Sequence, residues 1–122
     1  MLGLNVLVVE EEYLIATDIE QALRSAGAEA AVFRNIAELR EQPALIERFD
    51  LAVIEAKLGQ PEVISFAQDL QRAGVAVVVS SADRDIQTLF EGAVALDKPF
   101  DTAGLLAACQ AARDRAAPAD LS

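Results

Sequence analysis

The segment Leu51-Ala-Val-Ile-Glu55 constrains the fold of this chain more than any other stretch of the sequence. Four consecutive apolar residues, preceded by Asp50 and followed by an acid, are typical of a β-strand that is buried on both faces. Such a strand presents Glu55 at its carboxyl end. Because ligands bind at the carboxyl ends of strands in open α/β sheets, the segment predicts a covered sheet with a polar site at one edge.

Three further apolar runs are also predicted strands, and each of them ends in polar residues. These are Glu10-Glu11-Glu12 after the run 6–9, Ser80-Ser81 after the run 75–79, and Asp97-Lys98-Pro99 after the run 93–96. Since the carboxyl ends of parallel strands lie at the same edge of a sheet, we expect carboxylates, a hydroxyl and an ammonium to converge there.

The sequence between the strands predicts five helices, which begin near Tyr13, Asn35, Pro61, Asp83 and Asp101. Pro43 falls inside the second helix, which is therefore expected to be short or broken. The fourth helix is expected to run to about Glu91. A short, less apolar strand over residues 29–33 is expected at an edge of the sheet.

Five strands that alternate with five helices predict a doubly wound parallel sheet in a three-layer α/β/α fold. Right-handed crossovers favour the flavodoxin-like strand order 2-1-3-4-5. Strands 1 and 3 are neighbours in this order, so Glu10, Glu11 and Glu55 are expected to share one crevice. Crowding should then raise the pKa of one carboxyl group unless a cation is present.

Composition limits the classes of function. The 122 residues suit one domain, predicted over residues 1–115 with a tail at 116–122. A net charge of −10 argues against binding to nucleic acid or to an anionic membrane. The sequence has no histidine and no apolar run near the ~20 residues of a membrane span. The single cysteine, Cys109, is predicted to be a core residue, and a cytoplasmic location is expected.

Four segments in order resemble the signature of a known family. They are Val-Leu-Val-Val-Glu10-Glu11-Glu12, Asp50-Leu-Ala-Val-Ile-Glu55, Val77-Val-Val-Ser80 and Lys98-Pro99-Phe100. With these segments, residues 4–113 resemble the receiver domain of bacterial two-component response regulators, which has the CheY-like fold. The resemblance implies a stand-alone receiver in phosphorelay signal transduction rather than an enzyme, with a sensor histidine kinase or another signalling protein as its partner.

The resemblance also assigns roles to the acids. In such receivers an aspartate accepts a phosphoryl group from a kinase histidine, while a divalent cation, usually Mg²⁺, neutralises the phosphate. Glu55 stands at the phosphoacceptor position. Glu10, Glu11, Glu55 and the backbone carbonyl of Lys57 form the acidic metal pocket.

Two residues near the ends of the last strands complete the implied site. Ser80 is the hydroxyl that binds the phosphoryl group and reports phosphorylation to the surface of helix 4. Lys98 is the lysine that pairs with a phosphoryl oxygen, and the bond from Lys98 to Pro99 is cis in similar proteins. Similar receivers dimerise or dock partners through helix 4, strand 5 and helix 5, so this surface is the expected site of a homodimer. An exposed Phe90 would support it.

The sequence departs from the family pattern at the acids. Glu55 replaces the phosphoacceptor aspartate, and Glu11 replaces the aspartate that usually touches the metal. Each longer side chain moves a carboxylate by roughly 1 Å, and a displacement of that size can cost about 100-fold in a positioned reaction. Ala95 stands where many receivers have an aromatic switch residue. These departures argue against ordinary phosphotransfer and against Mg²⁺, and no other cofactor is expected.

Glu55 suggests a sharper hypothesis. A glutamate reaches further than an aspartate and could place its carboxylate near Ser80 and Lys98, in partial imitation of aspartyl phosphate. The chain would then be a pseudo-receiver that is held in one signalling state and binds its partner without phosphorylation.

Simpler interpretations of the same residues remain open. The acids 10–12 could form only a solvated turn that opens a helix, and Glu55 could be a salt-bridge partner of Lys98 in an inactive pocket. Lys57 could fold back and replace the cation. Ser80 could be an ordinary strand-end hydroxyl that bonds to the backbone.

Two other functions compete with the pseudo-receiver. One is a working Mg²⁺-dependent phosphorelay receiver that accepts phosphate on Glu55. The other is a small metal-dependent phosphohydrolase, although the two aspartates of the haloacid-dehalogenase type are missing. The acids 10–12 occupy the first turn, where a dinucleotide enzyme would need glycines.

Overall fold

The computed structural model describes residues 1–57 and 60–116, and its strands form one parallel sheet. The strands are β1 (Asn5–Val9), β2 (Glu29–Phe33), β3 (Leu51–Glu55), β4 (Ala76–Ser81) and β5 (Val94–Asp97). They lie in the order β2-β1-β3-β4-β5, and every neighbouring pair is parallel. The predicted doubly wound, flavodoxin-like sheet is confirmed.

The strands alternate with helices as the sequence predicted. The α-helices are α1 (Tyr13–Ser25), α2 (Ile36–Arg40), α3 (Pro61–Arg72), α4 (Arg84–Gln87) and α5 (Thr102–Ala116), with a 3-10 helix at Pro43–Arg48. None of the helices in these described ranges is long and apolar enough to cross a membrane.

The two faces of the sheet carry separate apolar clusters because successive residues of a strand point in opposite directions. Leu7 and Val9 of β1 belong to one cluster, together with Leu70 of α3. Val6 and Val8 belong to the other cluster, with residues of α1 and with Leu105 of α5. The sheet is therefore covered on both sides, which explains why its central strands are apolar throughout.

The second helix is interrupted near the proline that the sequence singled out. The side chain of Asn35 caps α2 by accepting a hydrogen bond from the backbone N–H of Glu38 at 3.1 Å. Helix α2 ends at Arg40, and the 3-10 helix begins at Pro43. A proline has no N–H to continue the α-helical bonding, so the chain resumes with tighter turns.

The fourth helix is much shorter than predicted. Asp83 caps it as expected, but α4 ends at Gln87 instead of near Glu91. Beyond it, the N–H of Leu89 bonds to the carbonyl of Ile86, and the N–H of Phe90 bonds to the carbonyl of Gln87. These three-residue bonds tighten the chain and end the α-helix.

Phe90 does not support the predicted docking surface at helix 4, strand 5 and helix 5. Its side chain is only 6% exposed and belongs to the core cluster that contains Leu70. Leu89 is 56% exposed instead. The tight turn after α4 accounts for the exchange, because it directs one of two adjacent apolar residues inward and the other outward.

Two remaining expectations concern Cys109 and the tail. Cys109 is buried in α5, and burial raises the pKa of its thiol to about 12, so the prediction of a core cysteine is confirmed. The predicted tail begins at Ala116, which is the last residue of α5. The rest of the tail lies outside the described residues.

Candidate functional site

Glu10 lies directly after β1 and is almost completely buried, at 2% exposure. Its backbone N–H donates to the carbonyl of Phe33, which holds the end of β1 against β2. Its Oε2 accepts the backbone N–H of Glu12 at 3.0 Å, and its Oε1 accepts Nζ of Lys98 at 2.7 Å. Both carboxylate oxygens therefore have donors, which is what a buried carboxylate requires.

Lys98 joins the ends of β1 and β3. Its backbone N–H donates to the carbonyl of Ser81 at 3.0 Å, which fixes the start of the loop after β5. Its side chain is only 14% exposed, and its Nζ donates to Oε1 of Glu10 and also to Oε2 of Glu55. The peptide bond between Lys98 and Pro99 is cis, as the resemblance implied. One ammonium thus bridges two carboxylates that belong to neighbouring strands.

Lys57 forms a second, more exposed bridge. Its Nζ donates to Oε1 of Glu11 and lies 3.9 Å from Oε1 of Glu55. The side chains of Lys57 and Glu11 are 43% and 53% exposed. Lys57 has therefore folded back over the acids, as one of the open interpretations stated. The three glutamates do not share one crevice equally, because Glu11 lies at the rim while Glu10 and Glu55 lie inside.

Burial and hydrogen bonding shift the pKa values of the two inner acids in opposite directions. Burial raises the pKa of Glu10, and the hydrogen bonds from Lys98 and Glu12 offset this only in part. Burial also acts to raise the pKa of Glu55, but the hydrogen bond from Lys98 leads the effects that outweigh burial and leave this pKa lowered. The pKa of one carboxyl group, that of Glu10, is raised as expected, but burial rather than crowding by Glu55 is its largest cause.

The acids in turn hold both lysines in the charged form. Burial acts to lower the pKa of Lys98, but its hydrogen bonds with Glu10 and Glu55 outweigh burial and raise it. The hydrogen bond with Glu11 raises the pKa of Lys57. At neutral pH the site therefore contains two ammonium groups, which are already paired with the carboxylates around them.

Ser80 and Ser81 occupy different environments at the end of β4. The hydroxyl of Ser80 is buried and has no hydrogen-bond partner among the described residues, so no bond to Glu55 is formed. The hydroxyl of Ser81 accepts the backbone N–H of Asp83 at 3.0 Å. A cavity of about 290 Å³ opens beside Ser81, Glu55 and Lys98. Space for a small group therefore remains next to Glu55.

The carboxylate oxygens in this arrangement do not form a ligand set that fits a Mg²⁺ ion. Both oxygens of Glu10 are occupied, and Lys98 and Lys57 engage one oxygen each of Glu55 and Glu11. Within residues 1–57 and 60–116, no three acidic, histidine or cysteine side chains are placed to hold a metal. Mg²⁺ demands near-octahedral oxygen ligands, and here each of the three acids is already paired with an ammonium group.

The structure brings together most of the residues that the sequence singled out. Glu10, Glu55 and Lys98 are in direct contact, and Lys57 joins Glu11 to them. One link was missed: Gln87 of α4 donates to Asp97 at 2.9 Å, and Arg84 lies 3.3 Å from the same carboxylate. No sequence pattern indicates this link, because it depends on how α4 lies over the end of β5.

Comparison with known proteins gives matches at the level of structure. No protein-family model matches the sequence, and no curated protein matches it either. A response regulator from Thermotoga maritima is similar with a TM-score of 0.75 and 24% identity, over 93% of this chain and 99% of that one. HP1043, an orphan response regulator of H. pylori, is similar with a TM-score of 0.73 and 25% identity, over 93% and 99% of the two chains.

A third solved structure, the chemotaxis response regulator CheY4 of Vibrio cholerae, is similar with a TM-score of 0.71 and 19% identity. The match covers 92% of this chain and 99% of that chain. All three matches extend over more than nine-tenths of this chain and nearly the whole of the other chain. The chain therefore has the fold of the CheY-like receiver domains of response regulators.

Proposed function

We propose that this chain is a receiver-type module of two-component signalling that works through protein–protein contacts without being phosphorylated at Glu55. The observation that carries the proposal is the bridge from Lys98 to both Glu10 and Glu55. In receivers of the resembled family, the corresponding lysine pairs with the phosphoryl group. Here the ammonium of Lys98 is already paired with two carboxylates of the protein.

The second ammonium supports the same proposal. Lys57 pairs with Glu11 and lies near Glu55, on the side where the resembled family holds its cation. Three carboxylates and two ammonium groups leave a net charge of about −1, so the site has little need for a divalent ion. The module would be a pseudo-receiver in the cytoplasm, with a histidine kinase or another signalling protein as its partner.

The structure gives the phosphate-mimic hypothesis partial support. Glu55 contacts Lys98, as a mimic should, but the hydroxyl of Ser80 makes no bond to it. A carboxylate carries one charge where a phosphoryl group carries nearly two. We therefore propose that Glu55 engages the lysine without engaging the hydroxyl that reports phosphorylation.

A titration of the labelled protein tests the proposal. Mg²⁺ and then Mg²⁺ with beryllofluoride are added while the amide resonances of Glu55, Ser80 and Lys98 are followed by NMR. We expect no saturable shift at millimolar Mg²⁺, because the acids that would bind the ion are already paired with Lys98 and Lys57. Saturable shifts at these residues would overturn the proposal.

A matched variant makes a negative result informative. The double substitution Glu11→Asp and Glu55→Asp shortens the two acids to the residues that the resembled family has there. The shorter side chains should release Lys57 and regain a saturable response to Mg²⁺. If neither protein responds, the pocket is closed by more than these two acids, and phosphorylation-independent action still stands.

A working phosphorelay receiver is the second candidate. The cavity of about 290 Å³ beside Glu55, Ser81 and Lys98 favours it, because a phosphoryl group needs such a space. Incubation with a phosphodonor, followed by mass analysis of the peptide that contains Glu55, separates the two candidates. A base-labile gain of one phosphate on Glu55 would favour the phosphorelay.

A further inference from the structure

An apolar groove lies between α3 and the segment that follows α4. Ile64, Ile86, Leu89 and Phe90 line it, together with Lys57. Ile86 and Phe90 are buried and form its floor, whereas Leu89 is 56% exposed. The groove exists because α4 ends at Gln87, so the turn after it leaves Leu89 on the surface.

The size of the groove indicates what it can hold. Its volume is about 170 Å³. Pockets for small organic ligands usually measure about 300–1,000 Å³, so this groove is too small for most of them. It has the size of a single large side chain. Anchor residues of this kind dominate the binding energy of many protein–protein interfaces.

The charges next to the groove indicate which sign of charge a partner should carry on its contact surface. Exposed carboxylates adjoin the lining residues in sequence at Asp85 and Glu91, and the neighbouring base Arg84 already pairs with Asp97. Neither Asp85 nor Glu91 forms a salt bridge with a described residue. Among the described residues that line the groove, Lys57 is the one basic side chain, and it is paired with Glu11. A partner with lysine or arginine around its anchor residue would therefore be complementary.

We infer that this groove is the docking site for a basic amphipathic helix of a partner protein, which inserts one leucine-sized or phenylalanine-sized side chain beside Leu89. The inference rests on the proposed function and names the surface through which the module would act. Lys57 belongs both to the groove and to the acidic site, so a bound partner would contact the residue that closes that site over Glu55.

A designed peptide tests the groove directly. The probe is a helical peptide of about 14 residues, with leucine at positions 4, 8 and 11 and lysine or alanine elsewhere, which gives one apolar face at helical spacing. Amide shifts of the protein are followed by NMR during titration. We expect saturable shifts concentrated at Ile64, Ile86, Leu89 and Phe90, and weaker binding at high salt.

Paired variants separate the groove from general attraction between a basic peptide and an acidic protein. Leu89→Ser removes the exposed apolar wall without changing charge and should weaken binding about tenfold, which corresponds to the loss of a modest hot-spot contact. Leu14→Ser is the matched control, because Leu14 is 76% exposed but lies on α1, away from the groove. It should change the affinity less than twofold.

Several outcomes would overturn the inference. Equal binding by the Leu89→Ser protein would do so, as would shifts centred on α1, or equal binding of a peptide with glutamate in place of lysine. A concentration-dependent dimer that Leu89→Ser dissociates would show that a second copy occupies the groove instead. The Mg²⁺ titration is independent of this experiment. If the peptide does not bind at the groove and Mg²⁺ causes no shift, this inference is wrong but the proposed function is retained.

Discussion

Nζ of Lys98 lies 2.7 Å from Oε1 of Glu10, and this contact joins residues that are 88 positions apart in the chain. The same ammonium also bonds to Glu55. The ends of β1, β3 and β5 are thereby tied together at the edge of the sheet where the resembled family binds phosphate. At this edge the buried charged groups of the described chain satisfy one another.

Removal of the bridging ammonium should destabilise the protein strongly. In Lys98→Met, Glu10 and Glu55 would keep their burial but lose their shared counter-charge, and breaking a buried pair in this way costs about 3 kcal/mol. Urea unfolding at pH 7 measures the loss. Lys57→Met is the matched control, since its ion pair with Glu11 is about half exposed and should contribute less than about 1 kcal/mol. Equal small losses would show that Lys98 is not structural.

The pH dependence of stability should depend on Glu55. Its pKa is lowered from the ordinary 4.5, so its contribution is present above pH 4.5 and is lost as the pH falls through the lowered value. The difference in the free energy of unfolding between the wild type and Glu55→Gln should therefore shrink below pH 4.5. Denaturant unfolding between pH 3 and pH 7, roughly the range of carboxylate titration, measures it.

Glu10 should show the opposite dependence. Its pKa is raised above 4.5, so the folded state holds the proton more tightly and stability falls as the pH rises from 4.5 through the raised value. The wild type should lose stability relative to Glu10→Gln over that range. If the two variants changed in the same direction with pH, the opposite shifts of the two acids would be wrong.

Leu70 should carry a large share of the core energy on one face of the sheet. It is fully buried at 0% exposure in the cluster that also contains Leu7 and Phe66. Leu70→Ala should reduce the free energy of unfolding by about 2–5 kcal/mol, because it loses apolar burial and leaves a cavity. Leu14→Ala, at a residue that is 76% exposed, should change it by less than about 0.5 kcal/mol.

Two glycines after helices should differ in their tolerance of a side chain. Gly27 and Gly74 have φ angles of +93° and +85°, where an alanine is strained by about 1 kcal/mol or more. A Cβ at Gly27 would also lie 2.8 Å from Cδ1 and 3.2 Å from Cα of Leu2, whereas a Cβ at Gly74 meets nothing within 4 Å. Gly27→Ala should therefore lower the melting temperature more than Gly74→Ala does. Equal shifts would show that Leu2 moves aside freely.

The sequence alone was sufficient for the framework of the fold. Continuous apolar runs such as Leu51–Glu55 encode doubly covered strands, and alternation with helices leaves few parallel topologies. It also located the acids, the hydroxyls and Lys98 at one edge, because the carboxyl ends of parallel strands must meet there. Both inferences depend on local periodicity, which the backbone geometry of strands and helices imposes directly.

Only the tertiary structure decided which charged groups pair at this edge of the sheet. The neighbouring residues Glu10 and Glu11 take opposite roles, one buried against Lys98 and the other exposed against Lys57. The early end of α4, which buries Phe90 and exposes Leu89, is likewise absent from the pattern of the sequence. These differences depend on contacts between residues that are about 40 to 90 positions apart in the chain. A local sequence pattern contains no information about such long-range contacts.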